Sequence, residues 1–237
     1  MKAVLLAAGL GTRLGFITQD IPKCLVPIAG RPLLSYWLDS LLASDISDII
    51  INLHYHSDQV RAFIKNREQA GNITLSYEHT LLGTGGTLIK NWKYFNGEPI
   101  LVIHADNLCL ANLTEFSEAH KRRPSNTEIT MMTFTTTSPQ DSGIVEVSDQ
   151  GIVTGFYEKV ADPPSCLANG AVYIFEPGVL DFMKSLDKSQ LDISTEVLPN
   201  YLGKIFAWET PATHIDIGTP ERLRYARSLV ESCRGKA

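Results

Sequence analysis

Gly9, Gly11, Thr12 and Arg13 close a short apolar run, and Lys23 follows them across Ile21-Pro22. A strand that opens into glycines leaves backbone N–H groups bare, and bare N–H groups can wrap an anion. Arg13 adds a planar, forked cation and Lys23 a mobile point charge, which together suit polyphosphate. Pro22 fixes its own φ and denies the loop a long helical continuation, so Lys23 is expected to be held back toward the glycine turn. Two familiar glycine loops do not fit. A dinucleotide fingerprint wants glycine where Leu14 stands and an acid at the end of the second strand, but Asp48–His54 ends without one. The Gly-x4-Gly-Lys-Ser/Thr loop is absent.

Two carboxylates stand behind apolar runs: Asp106 after Ile100–Ala105, and Asp216 ahead of Ile217-Gly218-Thr219-Pro220. Such residues cap turns or hold a metal. His104 and His214 each precede one of them by two positions and share its strand face. In isolation the two His-x-Asp pairs fit a two-metal hydrolase. That reading leaves Gly9–Arg13, Lys23 and Gly83–Gly86 without work, and the histidines are expected to line the cleft as supporting groups. Leu82-Gly83-Thr84-Gly85-Gly86 is a second amide-rich loop before a short helix. Glu158 and Lys159 are adjacent, so a bulge or strand end is needed before both can face one pocket. Asn169, in a turn before a strand, offers both donor and acceptor.

The elements that would carry these residues alternate up to about residue 125. Ala3–Ala7 reads as strand, Pro32–Ala43 as a helix with Leu34, Trp37, Leu38, Leu41 and Leu42 on one face, and Asp48–Leu53 as strand. Ser57 caps a helix through Lys65, and Ile73–Tyr77 and Ile100–His104 are strands. The alternation predicts an α/β fold with a mostly parallel, helix-covered sheet and ligands beyond the carboxyl ends of its strands. The second half is richer in strands: Thr127–Thr136, Ile144–Val147, Ile152–Glu158, Ala171–Phe175 and Lys204–Glu209, with a helix from Pro177 to about Leu186. These strands are expected to extend the same sheet and wall off one side of a cleft. Thr219 caps a last helix that opens on Pro220.

A chain of 237 residues fits one domain, 1–237, whose half up to about residue 125 alternates strand and helix and whose half from about 126 is richer in strands. The formal charge of −5 and the lack of any basic run beyond Lys121-Arg122-Arg123, read as a solvated helix end, argue against a nucleic-acid partner. Cys24, Cys109, Cys166 and Cys233 are scattered without a Cys-x-x-Cys pair, which suggests reduced thiols in a cytoplasm. No apolar run approaches the length that spans a bilayer, so no membrane partner is expected.

Leu6-Ala-Ala-Gly-Leu-Gly-Thr-Arg-Leu14, Pro22-Lys23-x-Leu-Val-Pro27 and Gly30-x-Pro32-Leu33 resemble the signature of the sugar-1-phosphate nucleotidylyltransferases. The resemblance runs on through Leu82–Gly86, His104–Asp106, Gly143–Val147, Glu158-Lys159, Asn169-Gly170 and Asp216–Pro220, nearly the whole chain. It implies a Rossmann-like mixed, mostly parallel sheet with helices on both faces, of the nucleotide-diphospho-sugar transferase type, with a nucleotide-binding half of about 1–125 and a sugar-binding half of about 126–237. It also implies Mg²⁺ as cofactor, an NTP and a sugar 1-phosphate as substrates, and a monomer or small homo-oligomer. The reaction is alignment plus charge neutralisation, with no covalent nucleophile required.

By resemblance, Leu6, Ala7, Ala8, Gly9, Gly11, Thr12, Arg13, Lys23, Leu82, Gly83 and Thr84 bind the nucleotide. Asp106, Gly143, Glu158, Lys159, Asn169 and Gly170 bind the sugar phosphate, Asp106 and Asp216 hold the metal, and Arg13, Lys23 and Asp106 are catalytic. One departure stands out: the family commonly has Gly-Asp where this chain has Ala105-Asp106. The Leu-Gly-Thr-Gly-Gly loop most resembles mannose- and heptose-1-phosphate guanylyltransferases, which implies GTP. Uridylyltransferases acting on N-acetylmuramate 1-phosphate and choline-phosphate cytidylyltransferases are the alternatives, and a catalytically silent binding subunit is the non-enzymatic one.

Overall fold

The computed structural model describes residues 1–67 and 72–234. Cα proximity divides the chain into two compact units, both discontinuous in sequence. The first comprises Met1–Val4, Leu81–Ile103 and Asn112–Ala212; the second comprises Leu5–Thr80, His104–Ala111 and Thr213–Ala237.

In the first unit the long strand Leu167–Phe175 is the organiser. It pairs antiparallel with Ile129–Thr135, Gly143–Val147 and Ile100–His104. Ile205–Glu209 runs parallel to Ile129–Thr135, and Val153–Glu158 runs antiparallel to Gly143–Val147. The sequence suggests a strand only from Ala171. The structure starts it at Leu167 and carries Asn169-Gly170 inside it, at a register shift between Asn169 and Tyr173. The beginning of Lys2–Leu6 follows Ile100–His104 in sheet order. Helix Leu113–Lys121 is capped by Asn112, whose side chain accepts from the N–H groups of Thr114 and Glu115 at 2.9 and 3.3 Å.

The basic triplet behind that helix is not simply a solvated end. Arg123 is half-buried; it pairs with Glu176, and its Nη1 and Nε donate to the carbonyls of His120 and Thr127. Its guanidinium fork satisfies carbonyls that a helix end leaves open.

In the second unit the end of Lys2–Leu6 is followed in sheet order by Asp48–Leu53, which pairs parallel with Asn72–Tyr77. Helix Leu33–Ala43 buries Leu34, Trp37, Leu38 and Leu41 of the stripe read from the sequence and Leu33 besides, while Leu42 is only half-buried. Ser57 is the first residue of helix Ser57–Lys65 and not its cap; His56, with φ 50°, takes that place. The last helix, Pro220–Arg234, opens as expected, with Arg222 N–H donating to Thr219 Oγ1 at 3.3 Å. Each unit carries strands and helices, the α/β class that the alternation predicts.

One apolar cluster in the second unit joins Leu14, Val26, Ile28, Leu33, Leu108, Ile217, Leu223, Ala226 and Val230. Leu14 follows Arg13, Val26 lies just past Lys23, Leu108 just past Asp106, and Ile217 follows Asp216. Each fully buried side chain of this kind contributes about 1.5–3 kcal/mol. The polar residues are therefore held at the edge of a core that fixes their backbones.

Cys24 and Cys109 are buried and Cys166 and Cys233 are exposed. Burial pushes the Cys24 thiol up to about 12, and that of Cys109 up to about 11. A thiol attacks as its thiolate. At mildly alkaline pH an aromatic disulfide reagent is expected to titrate two of the four thiols in the folded protein and all four in guanidinium. Rapid reaction of a third thiol in the folded protein contradicts this packing.

Candidate functional site

Lys23 lies just past Pro22, in a single turn of 3₁₀ helix, and is 4% exposed. An ammonium so far from water must be paired. Its Nζ donates to Asp106 Oδ2 at 2.8 Å and to Asp216 Oδ1 at 3.2 Å. The two carboxylates, remote in sequence, are brought together by two short strands. Asn107–Cys109 pairs antiparallel with His214–Asp216, and Asp216 stands opposite Asn107. Trp37 Nε1 donates to Asn107 O at 2.8 Å and anchors this ribbon to helix Leu33–Ala43.

Burial pushes the Asp106 carboxyl up, but the Lys23 and His104 charges and the Lys23 hydrogen bond prevail and hold it below its ordinary 3.8. Alanine before Asp106 is accommodated without exposure: Ala105 is buried, and its N–H donates to Leu6 O at 3.0 Å.

Arg13 reaches the same centre. Its Nη2 lies 3.5 Å from Asp216 Oδ2, with its side chain 63% exposed. A Cβ on Gly218 would stand 2.7 Å from that Nη2 and 2.9 Å from Asp216 Oδ1, so glycine is what lets the two meet. Gly11 has φ 66°, and a Cβ there would lie 3.0 Å from Thr18 Cγ2 and 3.2 Å from Lys23 Cβ. Lys23 is thus held against the glycine turn, as the position of Pro22 suggests. The Ala7 and Ala8 N–H groups are committed to Asn52 Oδ1, at 2.6 and 3.2 Å. Gly9 and Thr12 are exposed, and Leu6 is buried.

Sequence reasoning missed Arg222, whose Nη1 lies 3.9 Å from Asp216 Oδ2. It sits in the first turn of a capped helix, where a cation opposes the helix dipole, and that mismatch was the available signal. Among the described residues no group of three or more His, Cys, Asp or Glu is placed to hold a metal ion.

The first unit carries the other candidates. Gly83–Gly86 is not a loop before a helix but the first turn of helix Gly83–Lys90. Its glycines admit a neighbouring backbone: a Cβ on Gly83 would lie 2.5 Å from Leu191 O, while the Gly85 and Gly86 N–H groups donate to that oxygen at 2.8 and 3.3 Å. Thr84 Oγ1 donates to Asp192 Oδ2 at 3.2 Å and accepts from Ile193 N–H at 2.8 Å. Leu82 O accepts from Leu191 N–H at 3.0 Å.

Glu158 ends its strand, and Lys159, with φ 52°, turns out of it. Their side chains pair at 2.8 Å, so the strand end brings both to one side. A Cβ on Gly143 would lie 2.6 Å from Glu158 Oε2. Asn169 Oδ1 accepts from Ala171 N–H at 2.9 Å, its Nδ2 donates to Tyr173 OH at 2.7 Å, and Gly170 is buried beside it. Burial pushes the Tyr173 phenol well above its ordinary range, with Glu158 and Asp192 adding to the shift. Asp192 and Tyr173 therefore connect the Thr84 turn with the Glu158–Asn169 group.

The profile of the nucleotidyl transferase family matches residues 2–232, and the chain belongs to this family. It is 30% identical over 228 residues to the mannose-1-phosphate guanylyltransferase catalytic subunit beta of Xenopus tropicalis, covering 93% of this chain and 62% of the relative. It is 29% identical over 242 residues to the mannose-1-phosphate guanylyltransferase of Mycobacterium tuberculosis, covering 100% of this chain and 66% of that protein. The chain thus spans less than two thirds of the length of these curated relatives. Among solved structures, HddC from Yersinia pseudotuberculosis in complex with GMP-PN has a TM-score of 0.80 at 26% identity, covering 97% of this chain and 99% of that one. A putative glucose-1-phosphate thymidylyltransferase from Bacillus anthracis shares the fold, with a TM-score of 0.87 at 22% identity, covering 97% of this chain and 94% of that one.

Removing Arg13, an exposed side chain, is expected to change stability by no more than about 0.5 kcal/mol. Lys23→Ala leaves two carboxylates without their shared donor and is expected to destabilise by about 1–3 kcal/mol. Both variants should lose on the order of 10²-fold or more in turnover. Denaturant titration and pyrophosphate release measure the two effects. Near-normal turnover of both variants would exclude a phosphate role, and an unshifted denaturation midpoint for Lys23→Ala would exclude the buried pairing.

Proposed function

We propose that the protein transfers a nucleoside monophosphate from an NTP, GTP before the others, to a mannose- or heptose-1-phosphate-like sugar 1-phosphate. An oxygen of the sugar phosphate bonds to the α-phosphorus, the bond to the bridging oxygen breaks, and pyrophosphate leaves with an NDP-sugar remaining. The observation that carries the reading is the buried Lys23 ammonium bridging Asp106 and Asp216 beside Arg13. Both reacting partners are anionic, so a fixed ammonium and a guanidinium lower their repulsion at the point of attack and at the departing pyrophosphate. Lys23 holds the α-phosphate and the sugar phosphate, and Arg13 the leaving group. Leu6–Thr12 and Leu82–Thr84 serve the nucleotide. Lys159 holds the sugar phosphate, and Glu158, Asn169, Gly143 and Gly170 serve the sugar.

Asp106 and Asp216 place hard carboxylate oxygens within hydrogen-bond reach of one ammonium, a donor set that fits a hard divalent cation such as Mg²⁺. When bound, the cation supplies further positive charge to the phosphates. Guanine is favoured because mannose-1-phosphate guanylyltransferases are relatives over nearly the whole chain, and because a related structure was solved with GMP-PN. Uridylyl transfer to N-acetylmuramate 1-phosphate is the second reading, supported by the Ala7-Ala8-Gly9 opening that those enzymes share.

A pyrophosphate-release screen of four triphosphates against a panel of sugar 1-phosphates decides among these. GTP with mannose or heptose 1-phosphate should give the highest kcat/KM, and EDTA should abolish the signal. A preference for UTP overturns the base assignment. Phosphate release without any sugar 1-phosphate makes the protein a hydrolase instead. Asp106→Asn and Asp216→Asn keep side-chain size and should stay folded, yet should need on the order of tenfold more Mg²⁺ for half-maximal rate. A variant with an unchanged Mg²⁺ titration does not carry a ligand.

A further inference from the structure

The buried polar pair Asn52 and Glu78 plays no part in the reaction derived above. Asn52 is in the strand Asp48–Leu53 and is 4% exposed. Its Oδ1 accepts from two successive backbone groups, Ala7 N–H at 2.6 Å and Ala8 N–H at 3.2 Å. Its Nδ2 donates to Glu78 Oε1 at 3.1 Å. Glu78, just past the strand Asn72–Tyr77, is 2% exposed. Its own position is fixed by its backbone: the N–H donates to Leu53 O at 2.8 Å, and the carbonyl lies 2.8 Å from His54 Nδ1.

Successive N–H groups in an extended strand point to opposite sides. Two that converge on one oxygen force the chain out of the extended form. The Asn52 side chain therefore ends the strand Lys2–Leu6 and sets the direction in which Gly9–Arg13 departs. It also satisfies two buried N–H groups that would otherwise lack partners. Asparagine suits this position because it presents acceptor and donor on one short stalk, the acceptor for the loop and the donor for Glu78. Aspartate in its place would keep the acceptor and set two carboxylates against each other where both are buried.

We propose that Asn52, oriented by Glu78, is a positioning residue that presets the Gly9–Arg13 turn for the triphosphate. The inference rests on the reading of that turn as the triphosphate site. It predicts that the pair governs the KM for the triphosphate and leaves the KM for the sugar phosphate alone.

The test compares Asn52→Leu, Asn52→Asp, the double variant Asn52→Asp/Glu78→Gln, and Arg13→Ala, each with both KM values, kcat and the denaturation midpoint. Asn52→Leu and Asn52→Asp should raise the triphosphate KM about tenfold or more, with the sugar-phosphate KM within about twofold of wild type. In the double variant the hydrogen bond between the two side chains reverses direction, the introduced amide donating to the introduced carboxylate, and the triphosphate KM should recover toward wild type. That recovery keeps the proposal testable should Asn52→Leu fail to fold. If both KM values stay near wild type while only the midpoint falls, the pair is structural and the proposal is overturned. It is overturned likewise if both KM values rise together or if the double variant behaves like Asn52→Asp. Failure of the underlying reading has a separate signature, an unchanged triphosphate KM in Arg13→Ala; it overturns the proposal with it. A raised KM in Arg13→Ala beside a normal one in the Asn52 variants overturns the proposal alone.

Discussion

The Lys23 ammonium has almost no contact with water, and it is charged; everything around it follows from that constraint. A buried cation without a partner would cost several kcal/mol, so the fold must bring carboxylates to it. Asp106 and Asp216 come from distant parts of the chain; Asp216 ends one strand of three residues, and Asp106 immediately precedes the other, to which the first is paired. Those strands are too short to hold their register alone. Leu108 and Ile217, buried in one apolar cluster with Leu14 and Val26, hold it for them. Charge pairing selects which residues meet, and apolar burial keeps them there.

Close approach enabled by glycine recurs at several candidate residues. Gly218 lets Arg13 reach Asp216, Gly143 leaves room for the Glu158 carboxylate, and Gly83 and Gly85 admit the segment around Leu191. In each case a Cβ would collide with an atom of the protein itself. The glycine-rich segment Leu82–Gly86 therefore has a structural role, because its N–H groups and Thr84 secure the stretch Leu191–Ile193. Leu82 and Thr84, which the family resemblance assigns to the nucleotide, are held in place by these contacts.

Buried polar groups other than the proposed chemistry form two kinds of arrangement. Asn52 with Glu78 is tied to the exit of a strand that leads into the Gly9–Arg13 turn. His120 and Arg123 around Glu176 tie a helix end to the strand-rich unit; burial, with the Arg123 charge, lowers the imidazole to about 4 and keeps it neutral near pH 7. The first kind stands one turn from candidate chemistry and the second is architectural. What separates them is the backbone each one holds, the Ala7 and Ala8 N–H groups just before Gly9 in the first case and a helix end in the second.

Local patterns in the sequence were enough for the α/β alternation, the apolar stripe of helix Leu33–Ala43, the Thr219 cap and the need for a strand end at Glu158-Lys159. Each depends on neighbours a few residues apart, where period, capping chemistry and backbone restriction act directly. The placing of Lys23 against the Gly11 turn was legible for the same reason, because Pro22 restricts the backbone just before it. Tertiary structure alone decided that Asp106, Asp216, Arg13 and Arg222 gather near one ammonium, that Arg123 is clasped and not solvated, and that Asn169 sits within a strand at a register shift. It also decided that Asn52 holds the Ala7 and Ala8 N–H groups. These outcomes depend on which distant atoms are buried together, and a buried charge or N–H group takes whatever partner the packing brings within about 3 Å, a choice no local pattern records.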